Sequence, residues 1–416
     1  MNTTYMWAIA ACLGCATALA APPSGPGGQR VQALAAEPAE PAEPAAITAE
    51  SLMAIVRSLP ADRSRWPDRG DPARPPGNVR ARAQLIEAVR GLGYQPRLEP
   101  VPFRDRFDPD AGPSDAANIV FEITGSARPR QVVLVGAHFD AVGGSPGADD
   151  NASGVAALLE LARTLRDSAP GRTIRFVLFD LEESGLIGSR HHATLWAESQ
   201  QRLPEDARER ITLMLSLEML GYYDATPGSQ RTPFAGIPGL PDPAKDGPIA
   251  GDFVALCAAS AHSRAVRGLA RVMSDPAHQA PEGAAAQACK VLVVDQFPLM
   301  PPDLLRSDHA PFVSLGVPAV LVTDTSNFRN PHYHRQSDTP DTLDSVRMAR
   351  TVRGLRAAVA AAAGRARAGQ AEPPDDPEPS AAPGEATAPG AANSPAPPAP
   401  PAPPAPPAPP APPSPR

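Results

Sequence analysis

The chain reads as an α/β domain, a three-layer sandwich in which helices flank a mostly parallel central sheet. Continuous apolar runs alternate with stretches of helical periodicity, the pattern of βαβ units. The runs that end at His138, Asp180 and Glu218 each give way to a loop that opens on an imidazole or a carboxylate. In an open α/β sheet the C-terminal ends of the strands lie along one edge, so groups distant in sequence converge there.

The elements follow in order. From residue 48, Leu52, Ile55, Val56 and Leu59 keep helical spacing and Pro60 stops the run, which predicts a first helix. A second helix is predicted over 78–89, with Leu85, Ile86 and Val89 inward. Residues 97–101 and 118–124 read as strands, and 131–137 as a strand apolar on both faces. An amphipathic helix is predicted over 153–165, with Val155, Leu158, Leu159, Ala162 and Leu165 on one side. Strand, helix and strand recur through 173–218, residues 291–294 and 319–322 read as further strands, and 342–363 as a closing helix. Right-handed crossovers between parallel strands are expected. The stretch 224–251 carries many Gly and Pro with little periodicity and reads as a loop or lid over the sheet edge.

Composition sets the domain limits. Much of the proline count of 55 in 416 residues lies at the two ends. Residues 370–416 close in Pro-Ala-Pro-Pro repeats with almost no large apolar side chains, so a disordered, extended tail is expected. Residues 21–46 are Pro/Ala/Glu-rich and read as a linker or propeptide, leaving 47–369 as one folded domain. Residues 1–20 read as a signal peptide, with a short apolar run and Ala18-Leu19-Ala20 as a small-x-small cleavage site. Cys15 offers an alternative, a lipid anchor, and no run is long enough to span a bilayer. A secreted or periplasmic monomer is expected. Once the leader is removed, Cys257 and Cys289 remain, as a disulfide or as two buried thiols. The net charge of −7 and the lack of a basic stripe exclude nucleic acid as a partner.

The chemistry-bearing residues are His138, Asp150, the Glu182-Glu183 pair, Glu218 and His334. Each alone has an ordinary reading. A strand-end His is commonly structural, an Asp before a helix is commonly an N-cap, and adjacent Glu residues commonly decorate a surface turn. Together, two imidazoles and several carboxylates at one sheet edge make a hard-to-borderline metal site suited to zinc. The spare carboxylate of the Glu pair can then act as a general base. Asp140, two residues beyond His138, can accept a hydrogen bond from its imidazole and set the tautomer. Asp149 and Asp150 crowd beside Asn151, which a carboxylate bridging two cations explains and an N-cap alone does not. His309 in Ser307-Asp308-His309 is expected in a structural or supporting role rather than as a ligand. Of His332 and His334, at alternate positions, both could ligate or one could be surface decoration.

These segments, from His138 to Thr342, resemble the zinc-dependent aminopeptidase family of secreted bacterial leucyl aminopeptidases, which also contains glutaminyl cyclases. The resemblance implies two co-catalytic zinc ions per chain and peptide substrates with a free N-terminus. It implies His138, Asp150, Glu183, Glu218 and His334 as metal ligands, with Asp150 bridging and Glu183 on the metal opposite His138. Glu182 matches the general base and Asp140 stands behind His138. Tyr333 is similar to a Tyr beside the last His ligand in some relatives, which implies a role in stabilising the oxyanion. Glu218 stands where many aminopeptidases have Asp. A cis peptide after Asp150 is also implied. The alternatives are a single-zinc glutaminyl-peptide cyclotransferase, a catalytically inactive binding module on the same fold, and a carboxypeptidase or deacetylating hydrolase. The preferred N-terminal residue has no motif, and its pocket is expected to draw on residues 224–302.

Overall fold

The structure, a computed structural model, describes residues 46–365 except 67–70, 72–73, 104–114, 233–235, 237–239, 241, 280–289, 296 and 299. The expected leader, nearly all of the linker, the Pro/Ala tail and Cys289 therefore lie outside the described residues.

Among the described residues eight strands form one sheet. They are β1 (Arg97–Pro100), β2 (Ala117–Ile123), β3 (Arg128–His138), β4 (Arg172–Phe179), β5 (Arg210–Glu218), β6 (Phe253–Cys257), β7 (Lys290–Val294) and β8 (Ala319–Thr323), in the spatial order β1-β2-β4-β3-β5-β8-β6-β7. The helices are α1 (Ala49–Ser58), α2 (Gly77–Gly91), α3 (Gly154–Leu165), α4 (Ile187–Arg202), α5 (Pro243–Asp246), α6 (Ser263–Met273), α7 (Pro276–Gln279), α8 (Ala310–Ser314) and α9 (Ser345–Ala363). Apolar residues of α1, α2, α3, α6 and α9 pack in one cluster against one face of the sheet. Residues of α4 and α8 pack in a second cluster with Val132, Leu134 and Val177 on the other face. That is the expected three-layer sandwich.

The sheet is more mixed than its periodicity suggests. β4, β3, β5 and β8 run parallel, as do β6 and β7, but β1–β2, β2–β4 and β6–β8 are antiparallel. The parallel pairs join through crossover helices. Between β5 and β6 no described helix is longer than the four residues of α5, so the chain returns beside β8 in the opposite sense. β6, α6 and the four-residue helices α5 and α7 lie in this part of the chain and are absent from the sequence-based expectation.

Local chemistry sets the helix starts. Thr48 and Ser51 form a reciprocal capping box on α1, and the Asp344 side chain accepts from the Arg347 amide at the start of α9. Ahead of α3 the chain makes a wide turn, Ala148–Ser153, whose Asp150-Asn151 peptide is cis, as the resemblance implied. Gly154 is required there: a Cβ would collide with Asn151 Oδ1 and the Leu217 carbonyl. That contact lets the start of α3 sit directly on the end of β5.

Candidate metal centre

Parallel packing of β3, β4 and β5 places His138, the loop after Phe179 and Glu218 along one edge. The wide turn before α3 and the loop 330–338 close over the same edge. The result is two groups of three side chains whose ligand atoms lie within 4.8 Å of one another: His138, Asp150 and Glu218, then Asp150, Glu183 and His334. Asp150 belongs to both. Its Oδ1 lies 3.3 Å from His138 Nε2, and its Oδ2 lies 3.1 Å from His334 Nε2. His138 Nε2 is also 3.4 Å from Glu218 Oε2, and His334 Nε2 is 3.3 Å from Glu183 Oε2. All five expected ligands are thus brought together, with Asp150 common to both groups.

The supporting groups hold the backbone more than the side chains. Asp140 was expected to orient the His138 imidazole through its carboxylate. His138 Nδ1 lies 3.4 Å from Asp140 Oδ1 and also 3.2 Å from the Asp140 carbonyl. The carboxylate mainly accepts the backbone amides of Glu182 at 3.0 Å and Glu183 at 3.2 Å, which fixes the turn that aims the Glu pair. Asp338 does the same for the bridging segment, accepting the amides of Asp149 at 2.9 Å and Asp150 at 3.1 Å. Ser307 Oγ donates to Glu218 Oε2 at 2.7 Å. Buried Arg63 ties the loop after β3, donating to the carbonyls of Phe139, Pro146 and Gly147. Nothing in the periodicity around Arg63 or Ser307 signals these roles. Positive φ occurs at Leu181, Met219 and His334, each at or next to a site residue, so the surrounding packing over-determines a strained backbone here.

Electrostatics favour cations in this cluster. Burial, then the neighbouring Asp150 charge, pushes Glu183 up to about 7 despite its His334 partner. Burial lifts Glu182 well above the carboxylate range, opposed by His138 and reinforced by Glu218 and Asp308. Asp150 is held below its ordinary range, because the two histidines outweigh its burial. His334, facing Asp150 and Glu183, is raised to about 10. Without cations, several buried carboxylates must share protons or lean on protonated histidines. His138 Nε2 and Glu183 Oε1 are buried with no hydrogen-bond partner, as expected of atoms meant for a metal. The donor set therefore fits zinc, with imidazole and carboxylate ligands.

Of the remaining expectations, Tyr333 stacks on His334 with ring centres 3.7 Å apart and accepts a hydrogen bond from Arg306. His332 is outside both ligand groups, its Nδ1 2.9 Å from Ser337 Oγ. His309 is buried, with Nε2 2.6 Å from the Leu304 carbonyl, and burial lowers it to about 4, so it is a neutral structural residue. The pairing of Cys257 with Cys289 falls outside the described residues; Cys257 is buried on β6.

Beside the cluster opens a cavity of about 370 Å³. Asp150, Glu182, Glu183, Glu218 and His334 line one end. Its floor is the face of the β8-β6-β7 wing, where Phe253, Ala255 and Cys257 alternate along β6 beside Leu292, Val294 and Leu321. Described residues of the 224–251 stretch (Gln230, Leu240, Ile249) and Leu304 cover it. Arg329 anchors that cover, lying 4.6 Å over the Phe253 ring and donating to Gln230 Oε1 and the Phe253 carbonyl.

The model of Peptidase family M28 matches residues 118–236 and 260–359, just over half of the chain. An uncharacterised Escherichia coli protein, YfbL, is 33% identical over 225 residues, covering 51% of this chain and 61% of its own. The probable lipoprotein aminopeptidase LpqL of Mycobacterium tuberculosis is 32% identical over 174 residues, 41% of this chain and 32% of its own. The chain thus matches less than two thirds of either relative's length. Among solved structures, an aminopeptidase from Aneurinibacillus superposes with a TM-score of 0.53 at 18% identity, over 77% of this chain and 95% of that one. The glutaminyl cyclase of Tannerella forsythia superposes with a TM-score of 0.50 at 18% identity, over 76% and 98%. These two likenesses speak for the fold alone. Among the described residues no helix is long and apolar enough to cross a membrane.

Proposed function

The chain belongs to peptidase family M28, and on that premise we propose that it is an exported zinc aminopeptidase releasing N-terminal residues with large apolar side chains. One observation carries the reading: two three-residue ligand groups share Asp150, with the buried carboxylate of Glu182 beside them. That sharing supports two zinc ions per chain. His138, Asp150 and Glu218 would hold one, and Asp150, Glu183 and His334 the other. When bound, the ions supply Lewis acidity and lower the pKa of water towards neutrality.

The chain's own residues do the rest. Glu182 takes the proton of the attacking water and returns it to the leaving amine nitrogen. Asp140 fixes its position by holding the Glu182 amide. The Tyr333 hydroxyl, held by Arg306, lines the cavity beside His334 and can donate to the oxyanion. The apolar floor receives the first side chain.

A one-zinc cyclase would leave one of the two ligand groups without a purpose, and an inactive module would not need to keep both with the base. Export rests on residues 1–20 and on the lipoprotein designation of LpqL. Leucyl anilide should be cleaved and its N-acetylated form left intact. Equal cleavage of both, or pyroglutamate release from N-terminal Gln without anilide hydrolysis, would overturn the reading.

A further inference from the structure

The cavity is apolar on its floor but cationic at its mouth. Arg231 and Arg306, both exposed, line it from two different segments and meet at Asn327. Arg231 Nη2 donates to the Asn327 carbonyl, and Arg306 Nη1 to Asn327 Oδ1 at 3.3 Å. Arg306 Nη2 also donates to Tyr333 Oη at 3.0 Å. The Arg306 guanidinium lies 6.0 Å from the Tyr333 ring centre, and that ring stacks 3.7 Å from His334, so the cation stands close to the ligand cluster. All these partners are neutral. Neither guanidinium has a carboxylate partner among the described residues, although exposed Asp303 also lines the cavity.

An apolar side chain has no use for these cations, and a free N-terminal amine would be repelled by them. A planar carboxylate suits two neighbouring guanidiniums whose present partners are all neutral. Each residue beyond the scissile bond extends a peptide by about 3.3–3.6 Å, so the carboxylate of a di- or tripeptide falls within the span just described.

We propose that Arg306 and Arg231 bind a substrate carboxylate, so that this enzyme selects peptides presenting one near the scissile bond. The carboxylate is either the free C-terminus of a short peptide or an acidic side chain. This inference rests on the aminopeptidase reading and names the substrate class of that site.

The test compares kcat/KM for Leu-Ala, Leu-Ala-amide and Leu-Glu-amide. A preference of at least tenfold for one carboxylate-bearing peptide over Leu-Ala-amide is expected, expressed in KM. Preference for Leu-Ala assigns the C-terminus, and preference for Leu-Glu-amide assigns a side chain. The double variant Arg231→Gln/Arg306→Gln should bring the ratio close to one, while Arg306→Lys should keep part of it. Equal rates on acids and amides in the wild type would overturn the proposal, as would a preference that survives in the double variant. Equal loss on every substrate would also overturn it, because Arg306 would then act only through Tyr333. If Leu-Ala-amide and all the others are inert, the aminopeptidase reading itself has failed.

Discussion

At the C-terminal ends of β3, β4 and β5 the chain buries charge, whereas over the face of β8, β6 and β7 it leaves an apolar cavity. The first region is stiff because backbone amides are pinned by carboxylates: Asp140 holds the Glu182-Glu183 turn and Asp338 holds the Asp149-Asp150 turn. The second is roofed by an irregular stretch tied down through side chains, chiefly Arg329 on Phe253 and Gln230. Positioning of reacting groups tolerates little displacement, so it is built into the sheet edge. Recognition of a side chain needs only volume and dryness, so it is left to a cover whose residues can vary without disturbing the edge.

This division can be broken most severely at Glu182. Replacing Glu182 with Gln should lower kcat by about 10²–10⁴-fold while metal content is retained, since proton transfer is lost and no ligand is. Metal analysis and turnover on leucyl anilide, measured on the same preparation, check this. Normal turnover would remove Glu182 from the mechanism.

His309 tests how firmly the cavity wall is held. Burial lowers it to about 4 from an ordinary 6.5, so the folded chain binds its proton less well than the unfolded chain. The stability it contributes is therefore fully present above pH 6.5 and lost as pH falls towards 4, about 3 kcal/mol in all. Urea unfolding across that window should show a steeper loss in the wild type than in His309→Gln, whose amide can still donate to the Leu304 carbonyl. Identical pH slopes would contradict the neutral, buried role.

A smaller effect is expected on the cavity floor. Ala255→Leu fills space between Phe253 and Cys257 without touching the ligand cluster. The ratio of leucyl to alanyl anilide hydrolysis should fall by about 10–200-fold, with alanyl turnover nearly kept. An unchanged ratio would place the first side chain somewhere other than this wing.

The two regions also differ in how far they could be read from the chain. Strand runs ending in His138, Asp180 and Glu218 announce the charged edge, because a carboxylate or imidazole after an apolar strand is costly unless it has partners. The ligand roles of Asp150 and His334 came from the family resemblance, carried by the Asp-Asn-x-Ser-Gly segment and by the place of His334 ahead of Asp338. Ser307, which holds Glu218 from 89 residues away, and Arg63, in an aperiodic stretch, were not reachable, because their roles exist only in three dimensions. The wing was opaque for a related reason. β6 has five residues, follows a Gly/Pro-rich stretch and gains its meaning from antiparallel pairing with β8, which comes later in the chain. Asp140 shows the intermediate case: its importance was legible from its place after His138, but its main partners, two backbone amides, were not.

The most direct test of the shared-carboxylate centre is the zinc content of the purified full chain after dialysis, measured by mass spectrometry. The account predicts two zinc ions per chain, and a value of one or none would contradict it.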